Sequence, residues 1–291
     1  MKRKKLRTVL WLVLWLIAVI IIIVINYYNR HLVISNYKIN DPRWPATING
    51  WRLVQLSDIH NQATEGPGNN KIINSVQKLQ PDIITITGDL FDGDRTNIPN
   101  NLQLVKRLTS IAPVYVILGN HEFANDDYIR LIQLVEEAGA RVIRNELVTI
   151  NDKNTPIMII GLDDPAAWGW PLSYKAQTQL TAQTLNKIMT SPEFDSTAPR
   201  LILAHRPELW SQYLLANPLI ILSGHTHGGQ IRLPLIGAIY VPNQPLLAQY
   251  DEGIFAIANS YLIISRGLGN SFINCRFNNY PEIITIDFYH E

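Results

Sequence analysis

Short blocks of histidine, aspartate and asparagine recur along this chain, and most of them directly follow an apolar run. The blocks are Asp58-Ile59-His60, Gly88-Asp89, Gly119-Asn120-His121-Glu122, His205 and Gly224-His225-Thr226-His227. The strands of a parallel sheet deliver the residues at their carboxyl ends to one edge of that sheet. The pattern therefore predicts an α/β fold in which these polar side chains converge on a single site.

The residue types in these blocks indicate metal binding. Five of the seven histidines lie in them, whereas the single cysteine, Cys275, lies outside. Imidazole and carboxylate ligands without thiolates favour zinc, manganese or iron at a catalytic centre over a structural zinc–thiolate site. The sequence therefore predicts a hydrolase that uses two metal ions.

Spacing within the blocks suggests which side chains act together. Residues two apart in an extended segment point to the same side, so Asp58 and His60 can bind one ion. His225 and His227 have the same spacing. Asp89 directly follows a glycine, which lets its carboxylate project from a tight turn and bridge two cations. Taken singly, the first three blocks are more typical of turns or loop caps and His205 of a hydrogen-bonded core or surface histidine, whereas Gly224-His225-Thr226-His227 is evenly balanced. Only the ordered set favours a metal site.

Three further side chains have separate predicted roles. The amide oxygen of Asn120 is a weak neutral ligand, which makes sense beside an ion already held by imidazoles. His121 follows it and would point elsewhere, which suits proton donation to a leaving group. Arg266 lies in a turn with two nearby glycines and is a candidate substrate-binding residue that contacts phosphate. A surface arginine at a turn would have the same sequence signature.

The hydrophobic pattern between the blocks predicts strands and helices in alternation. The predicted strands are 51–56, 82–87, 114–118, 141–150, 155–161, 201–204, 219–222, 231–233, 254–258, 261–265 and 282–287. The predicted helices are 71–79, a segment around 102–108, 126–138 and 174–189. The strand–helix alternation at the start favours a parallel sheet, and the later strands favour a second one. We therefore expect two stacked mixed β-sheets flanked by helices.

An apolar run near the start of the chain predicts a membrane anchor. Residues 9–25 are all apolar, which at about 1.5 Å per residue nearly spans a hydrocarbon core of roughly 30 Å. The alternative is a cleaved signal peptide, but its apolar region is normally shorter and ends in small residues. We expect residues 1–28 to form a basic tail and a single-pass transmembrane anchor. Residues 29–50 would form a connector with an edge strand, and residues 51–291 one catalytic domain.

The charge distribution favours one orientation and disfavours one class of partner. Five basic residues lie among the first seven, and the remainder carries 25 − 5 = 20 basic against 24 acidic residues, a balance of −4. Such a domain is not expected to bind nucleic acid. Basic residues before the span predict a cytoplasmic N terminus and an extracytoplasmic catalytic domain, although Arg30, Lys38 and Arg43 after the span weaken this signal.

The ordered series of five blocks resembles the calcineurin-like metallophosphoesterase superfamily, from about Trp51 to the C terminus. Two finer features, Gly161-Leu162-Asp163-Asp164-Pro165 and His227-Gly228-Gly229-Gln230, resemble its membrane-anchored bacterial branch. That branch includes phosphodiesterases and a UDP-2,3-diacylglucosamine pyrophosphatase of lipid A synthesis. The resemblance implies that the two sheets and their helices form a four-layer αββα sandwich.

The resemblance also implies two metal sites and a reaction. One ion would be held by Asp58, His60, Asp89 and His227. The other would be held by Asp89, Asn120, His205 and His225, with His121 as the general acid or a phosphate contact. The ions, whose identity as Mn, Zn, Fe or Mg stays open, would lie about 3.5–4 Å apart, and a bridging hydroxide would attack phosphorus in line.

The implied substrates are phosphodiesters or pyrophosphates, with lipids and nucleotide-linked lipids among them because of the anchor. One alternative is the UDP-2,3-diacylglucosamine pyrophosphatase activity itself. Another, from a different class, is a metal-binding scaffold that has lost catalysis. The complete set of ligand residues and the retained His121 argue against such a scaffold.

Overall fold

A computed structural model gives the architecture of the chain. It describes residues 2–60, 70–92, 98–169, 171–270 and 275–291, with the backbone alone for residues 2–6. The strands in chain order are β1 (Val33–Asn40), β2 (Trp51–Leu56), β3 (Ile83–Thr87), β4 (Val114–Ile117), β5 (Arg141–Val142), β6 (Glu146–Asp152), β7 (Thr155–Leu162), β8 (Arg200–Ala204), β9 (Ile220–Ser223), β10 (Arg232–Leu233), β11 (Gly237–Ala238), β12 (Gly253–Ile257), β13 (Ser260–Ile264) and β14 (Glu282–Tyr289). The helices are α1 (Lys2–Arg30), α2 (Asn70–Leu79), α3 (Ile98–Leu108), α4 (Asn120–Phe123), α5 (Tyr128–Glu137), α6 (Tyr174–Met189) and α7 (Trp210–Tyr213).

Two six-stranded mixed sheets form the centre of the domain. The first sheet has the order β1-β14-β2-β3-β4-β5, and the second has the order β12-β13-β9-β8-β7-β6. In the first sheet β2 to β5 run parallel, and β14 is antiparallel to β2. In the second sheet β7, β8, β9 and β13 run parallel, and the edge strands β6 and β12 are antiparallel to their neighbours. The β10–β11 hairpin is separate from both.

Alternation along the strands divides the apolar side chains among three clusters. Leu53 of β2 packs between the sheets against residues such as Leu203 and Leu222. Its neighbour Val54 faces the other way, toward α2, α3 and α5. The second sheet packs its outer face on α6 and α7, through Leu185 and Tyr213 among others. The expected four-layer αββα sandwich is confirmed.

Most predicted elements appear near their predicted bounds, and β2 and α6 match them at both ends. The prediction of one strand over 141–150 was wrong, because β5 belongs to the first sheet and β6 to the second. The chain crosses between sheets at Arg144 and Asn145, whose side chains bond Asp163 at 2.9 Å and 3.0 Å. Asn145 also has a φ of 49°, which interrupts an extended strand.

The apolar run lies in α1, and its segment Arg7–Arg30 is long and apolar enough to cross a membrane. The last turns of α1 contact the domain. The rings of Tyr27 and Tyr28 lie 6.1 Å and 4.8 Å from that of Tyr280. The segment predicted as a connector contains β1, which pairs in parallel with β14 at the edge of the first sheet. The helix is thus separated from the first sheet by only two residues.

Candidate metal centre

Five parallel strands end at the candidate site, namely β2, β3 and β4 of the first sheet and β8 and β9 of the second. The polar residues that follow them are Asp58, Asp89, Asn120, His205 and His225. Hydrogen bonds between strand ends join the sheets here. Gln55 Nε2 donates to Ser223 O at 2.9 Å, and His205 Nδ1 lies 2.8 Å from Thr87 O.

Four of the predicted ligands form one buried cluster. Each of them offers a ligand atom within 4.8 Å of the others, and they are Asp58, His60, Asp89 and His227. The Nε2 atoms of His60 and His227 are 3.2 Å apart, and His227 Nε2 is 3.3 Å from Asp58 Oδ1. These donors come from three loops and from both sheets, which is the arrangement of a chelating site.

A second buried cluster contains Asp89, His205 and His225. His205 Nε2 lies 3.2 Å from Asp89 Oδ2, so Asp89 belongs to both clusters. Asn120 begins α4, and its Oδ1 is buried without a hydrogen-bond partner among the residues that the structure describes. An unpartnered buried oxygen costs free energy, and a cation would satisfy it. The ligand role of each residue in the two clusters stays a prediction.

His121 lies at the edge of these clusters. Its side chain is 29% exposed, and its ring centroid is 4.6 Å from that of His60. Its Nδ1 lies 2.8 Å from Asp92 Oδ1, and its backbone N donates to Asp89 Oδ1 at 3.0 Å. Asp92 was given no role in the sequence analysis, although it follows a block closely. It orients the ring that we predict to donate a proton.

Arg266 is engaged in ion pairs. Its Nη2 lies 2.8 Å from Glu282, and its Nε lies 3.0 Å from Glu252. The aliphatic part of the Arg266 side chain lies beside Gly228, the residue after His227. A Cβ on Gly228 would lie 2.9 Å from Arg266 Cγ. Contact between Arg266 and a substrate phosphate stays a prediction.

Burial keeps most imidazoles of the site neutral. It lowers the pKa of His60 to about 4 and holds the pKa of His225 and His227 well below the usual value. Neutral imidazole is the form that ligates metals. His205 differs, because the neighbouring Asp89 carboxylate outweighs the effect of burial and raises its pKa to about 10. A cation bound there would take the place of the proton.

The carboxyl groups carry the complementary charge. Burial raises the pKa of Asp58 to about 6, against the lowering effect of His205. For Asp89 the opposite balance holds, because His205 and His121 outweigh burial and keep its pKa well below the usual value. At His121 burial is outweighed by Asp89 and by Asp92, and its pKa rises to about 9. A divalent cation would stabilise both buried carboxylates in their ionised form.

The backbone at the candidate ligands is strained. Positive φ angles between 49° and 68° occur at Asp58, His60, Asp89, His225 and His227. The left-handed conformation costs a non-glycine residue about 1–2 kcal/mol and persists only where the surrounding structure enforces it. Strain concentrated on the residues with ligand atoms is typical of a functional site rather than of solvated turns.

Glu122 fixes the loops that carry two of the candidates. Its buried carboxylate accepts the backbone N–H groups of Asp89 at 3.0 Å, Phe91 at 2.8 Å and Gly119 at 2.7 Å. Glu122 belongs to one of the sequence blocks but had no predicted role. Its position directly after Asn120 and His121 was the sequence signal that could have identified this role.

Asn101 has a similar role from α3. Its Nδ2 donates to the carbonyl oxygens of His60 at 2.7 Å and Leu90 at 2.6 Å, and the side chain is buried. A polar residue on the apolar face of a predicted helix was the signal that could have identified it. Both side chains hold loops rather than substrate.

Comparison with known proteins identifies the family. The profile of the calcineurin-like phosphoesterases matches residues 52–229, a span that begins in β2 and ends just after His227. The chain belongs to the calcineurin-like phosphoesterase family. It is therefore a metal-dependent phosphoester hydrolase, and the two donor clusters fit the pair of divalent cations that this family uses.

Three relatives represent the members to which the chain is similar. It is 29% identical to a bovine (Bos taurus) transmembrane protein with metallophosphoesterase domain, over 86% of this chain and 55% of that protein. It is 27% identical to Phosphodiesterase YaeI of Escherichia coli, over 72% of this chain and 70% of that protein. It is 27% identical to UDP-2,3-diacylglucosamine pyrophosphatase LpxG of Chlamydia muridarum, over 83% of this chain and 84% of that protein. The chain spans about half the length of the bovine protein.

Proposed function

We propose that the chain is a membrane-anchored phosphoesterase that hydrolyses phosphodiester or pyrophosphate bonds with two metal ions. The observation that carries the proposal is the pair of buried donor clusters that share Asp89. Similarity to proteins named a phosphodiesterase and a pyrophosphatase supports these bond classes over monoesters.

The proposed ligand sets are those of the two clusters, with Asn120 added to the second. One ion takes Asp58, His60, Asp89 and His227. The other takes Asp89, Asn120, His205 and His225. When bound, the ions would neutralise the phosphoryl oxygens and activate a water molecule for in-line attack. The protein supplies ligands that are already desolvated and held by Glu122 and Asn101, so little reorganisation is needed on binding.

His121 is the proposed proton donor. Asp92 engages its Nδ1, which fixes the ring and leaves Nε2 for the oxygen of the leaving group. Protonation lets that oxygen depart as a neutral group, which matters most for poor leaving groups such as alkoxides. Its partial exposure supports this role, because the donor must reach a bound substrate.

The proposed anchor is α1. Its large apolar side chains from Val9 to Ile17 are exposed, and the bovine relative is named a transmembrane protein. The basic cluster before the span supports a cytoplasmic N terminus and an outward domain. Protease added to intact spheroplasts should then cleave the domain. Its survival until the cells are lysed would reverse the orientation.

A second candidate is cleavage of a UDP-linked diacylated glucosamine between its two phosphates. Similarity to the Chlamydia muridarum pyrophosphatase over most of both chains favours it. Such a substrate is expected at the cytoplasmic face, so this candidate requires the opposite orientation of α1. The spheroplast experiment therefore also separates the two candidates.

The decisive assay compares three substrates on the purified full-length protein. They are bis(p-nitrophenyl) phosphate, p-nitrophenyl phosphate and the nucleotide-linked lipid, each with Mn, Zn or Mg and with a chelator. We expect metal-dependent turnover of the diester above that of the monoester. Exclusive turnover of the nucleotide-linked lipid would select the second candidate. Stoichiometric metal binding without turnover of any substrate would indicate a non-catalytic scaffold.

A further inference from the structure

An uncharged segment follows the metal centre in the sequence. Residues 233–250 contain no acidic, basic or histidine side chain. They include the β10–β11 turn and the loop that follows β11, and residues 233–247 are here named the apolar hairpin. Its large exposed side chains are Leu233, Leu235, Ile236, Ile239, Tyr240, Leu246 and Leu247. Leu235 at the turn is fully exposed, and Leu246 is 71% exposed.

Folding of the domain does not account for this surface. Single exposed apolar residues are common, but a close set of them usually marks a binding surface. The nearest basic side chain is neutralised within the protein, because Arg232 lies 2.7 Å from Asp251 and 2.9 Å from Glu252. An uncharged, apolar partner therefore matches the apolar hairpin, and the interior edge of a lipid bilayer is such a partner.

The base of the apolar hairpin is joined to the end of α1. Arg232 N donates to Phe277 O at 3.0 Å, and Phe277 N donates to Gln230 O at 3.1 Å. The Phe277 ring lies 5.7 Å from the ring of Tyr28, near the end of α1. Tyrosine is enriched at the depth where a membrane helix leaves the hydrocarbon. The hairpin therefore starts at the level where the proposed anchor meets the bilayer surface, which favours lipid over a protein partner.

The apolar hairpin also borders the metal centre. A Cβ on Gly229 would lie 2.4 Å from Ala238 Cβ, so β11 packs on the turn that contains His227. Farther along the hairpin, the Asn243 side chain contacts His225 Nε2 at 2.8 Å. The hairpin thus extends from the proposed bilayer surface to a candidate metal ligand.

The end of α1 approaches the metal centre by a second route. Asn29 accepts a hydrogen bond from Asn270 Nδ2 at 3.0 Å. The carbonyl oxygen of the preceding residue, Gly269, lies 3.3 Å from His227 Nδ1. Two adjacent residues therefore separate the end of the proposed anchor from a candidate metal ligand. With α1 as the anchor, the metal centre would lie close to the bilayer surface.

We propose that the apolar hairpin inserts into the bilayer surface beside α1 and admits lipid-borne phosphoesters to the metal centre. This inference rests on the proposed function and deepens it, because it names the substrate class. That class is an amphiphilic phosphoester whose acyl chains stay in the membrane while its phosphate reaches the metals. The hairpin positions the substrate and takes no part in the reaction itself.

Insertion is tested on the full-length protein at one chain per phosphatidylcholine nanodisc. In a Cys275→Ser background, Leu235→Cys carries the single thiol and is labelled with an environment-sensitive nitrobenzoxadiazole dye. The matched control is Ile129→Cys on α5, where the native apolar side chain is half exposed. At position 235 we expect blue-shifted emission that spin-labelled lipid quenches and aqueous iodide does not. At position 129 we expect emission without a blue shift that iodide quenches and spin-labelled lipid does not.

Iodide quenching at both positions would overturn the proposal. Protection of position 235 from both quenchers would also overturn it, because the hairpin would then pack on protein. Neither outcome would affect the assignment of the hydrolase activity, which the soluble diester assay measures separately.

Substrate delivery is tested with two substrates that share a leaving group. One is phosphatidyl-p-nitrophenol in the nanodisc, and the other is soluble bis(p-nitrophenyl) phosphate. The variant Leu235→Glu/Ile236→Glu should lose most of its rate on the lipid and keep its rate on the soluble diester. The control Ile129→Glu/Leu215→Glu should keep both rates. Equal loss on both substrates, or no loss on the lipid, would contradict the delivery role.

Discussion

Asp89 is the residue on which both donor clusters depend. Its carboxylate lies 3.2 Å from His205 Nε2 and 3.7 Å from His60 Nε2, and it also accepts the backbone N–H of His121. Asp89→Asn replaces a charged oxygen by an amide and keeps the shape. We expect lower metal content, a lower melting temperature in the presence of metal, and no measurable turnover. Metal analysis by mass spectrometry checks this, and a variant with full metal and near-normal rate would contradict the bridging role.

His121 should behave differently, because it lies outside both proposed ligand sets. His121→Ala should retain both metals while kcat falls by about 10²–10⁴-fold, the usual contribution of a general acid. The loss should be larger for an alkyl ester than for a p-nitrophenyl ester, whose leaving group needs no proton. Metal analysis and paired rate measurements decide the point. Loss of one metal equivalent from this variant would make His121 a ligand.

At this scale the sequence was informative about residue types and uninformative about their surroundings. The spacing of Asp58 and His60 predicted a shared ion, and the two side chains lie in one cluster. It could not reveal that both have left-handed backbones, because those angles are enforced by contacts distant in sequence. Likewise Arg266, just after β13, pairs with Glu252, just before β12, and with Glu282 at the start of β14 in the other sheet. Spacing in the sequence does not reveal that these strand ends meet.

Among the elements, the turn between β4 and α4 shows how closely the ligand loops pack. A Cβ on Gly119 would lie 2.2 Å from Asp89 Oδ1 and 2.6 Å from Asp89 N. Gly119→Ala should therefore displace the shared carboxylate and reduce both metal content and kcat. Gly169→Ala is the control, because no atom lies within 4 Å of the added carbon, so that only its positive φ of 115° opposes the substitution. Similar effects of the two substitutions on metal content would mean that Gly119 matters only for general stability.

The ends of β7 and β8 are joined by a buried ion pair. Arg206 Nε lies 2.7 Å from Asp164 Oδ2, and both side chains are almost fully buried. Arg206→Ala would leave Asp164 as a buried unpaired charge, which costs about 3–5 kcal/mol of unfolding free energy. The matched control is Arg130→Ala, which breaks an exposed pair with Glu137 and should cost under about 1 kcal/mol. Denaturant titrations measure the unfolding free energy of both variants. Equal losses of unfolding free energy would mean that burial of the Arg206–Asp164 pair does not increase its contribution.

The elements themselves were largely predictable, since each strand that ends in a ligand block is a short apolar run between polar residues. The split of 141–150 was not predicted, although three consecutive polar residues at 144–146 interrupt the apolar pattern there. The contacts of Arg144 and Asn145 with Asp163 fix the crossing between the sheets. The pairing of β1 with β14 was not predictable either, because periodicity says nothing about partners at opposite ends of a chain.

For the whole molecule, the anchor and the domain should be separable. Val9 to Ile17 of α1 are exposed, and the contacts described above lie in its last turns. Deletion of residues 1–28 should leave a folded protein that binds metal and hydrolyses a soluble diester at a normal rate. Its rate on lipid in vesicles should fall, because anchoring raises the local concentration of substrate. Equal rates on vesicle-bound lipid with and without the anchor would remove the argument from the anchor to a lipid substrate and would indicate a general phosphodiesterase that is tethered.

The pairing of β1 with β14 has a consequence for how the protein is made. Ser35 of β1 and Glu282 of β14 form a hydrogen bond across 247 positions of sequence. During synthesis β1 therefore cannot pair until β14 has been made. Until then β2, which also pairs with β14, has one open edge. Closure of so distant a contact is slow, and unpaired edges invite aggregation. Synthesis at a membrane, with one nascent chain held apart from the next, would protect this protein during that interval.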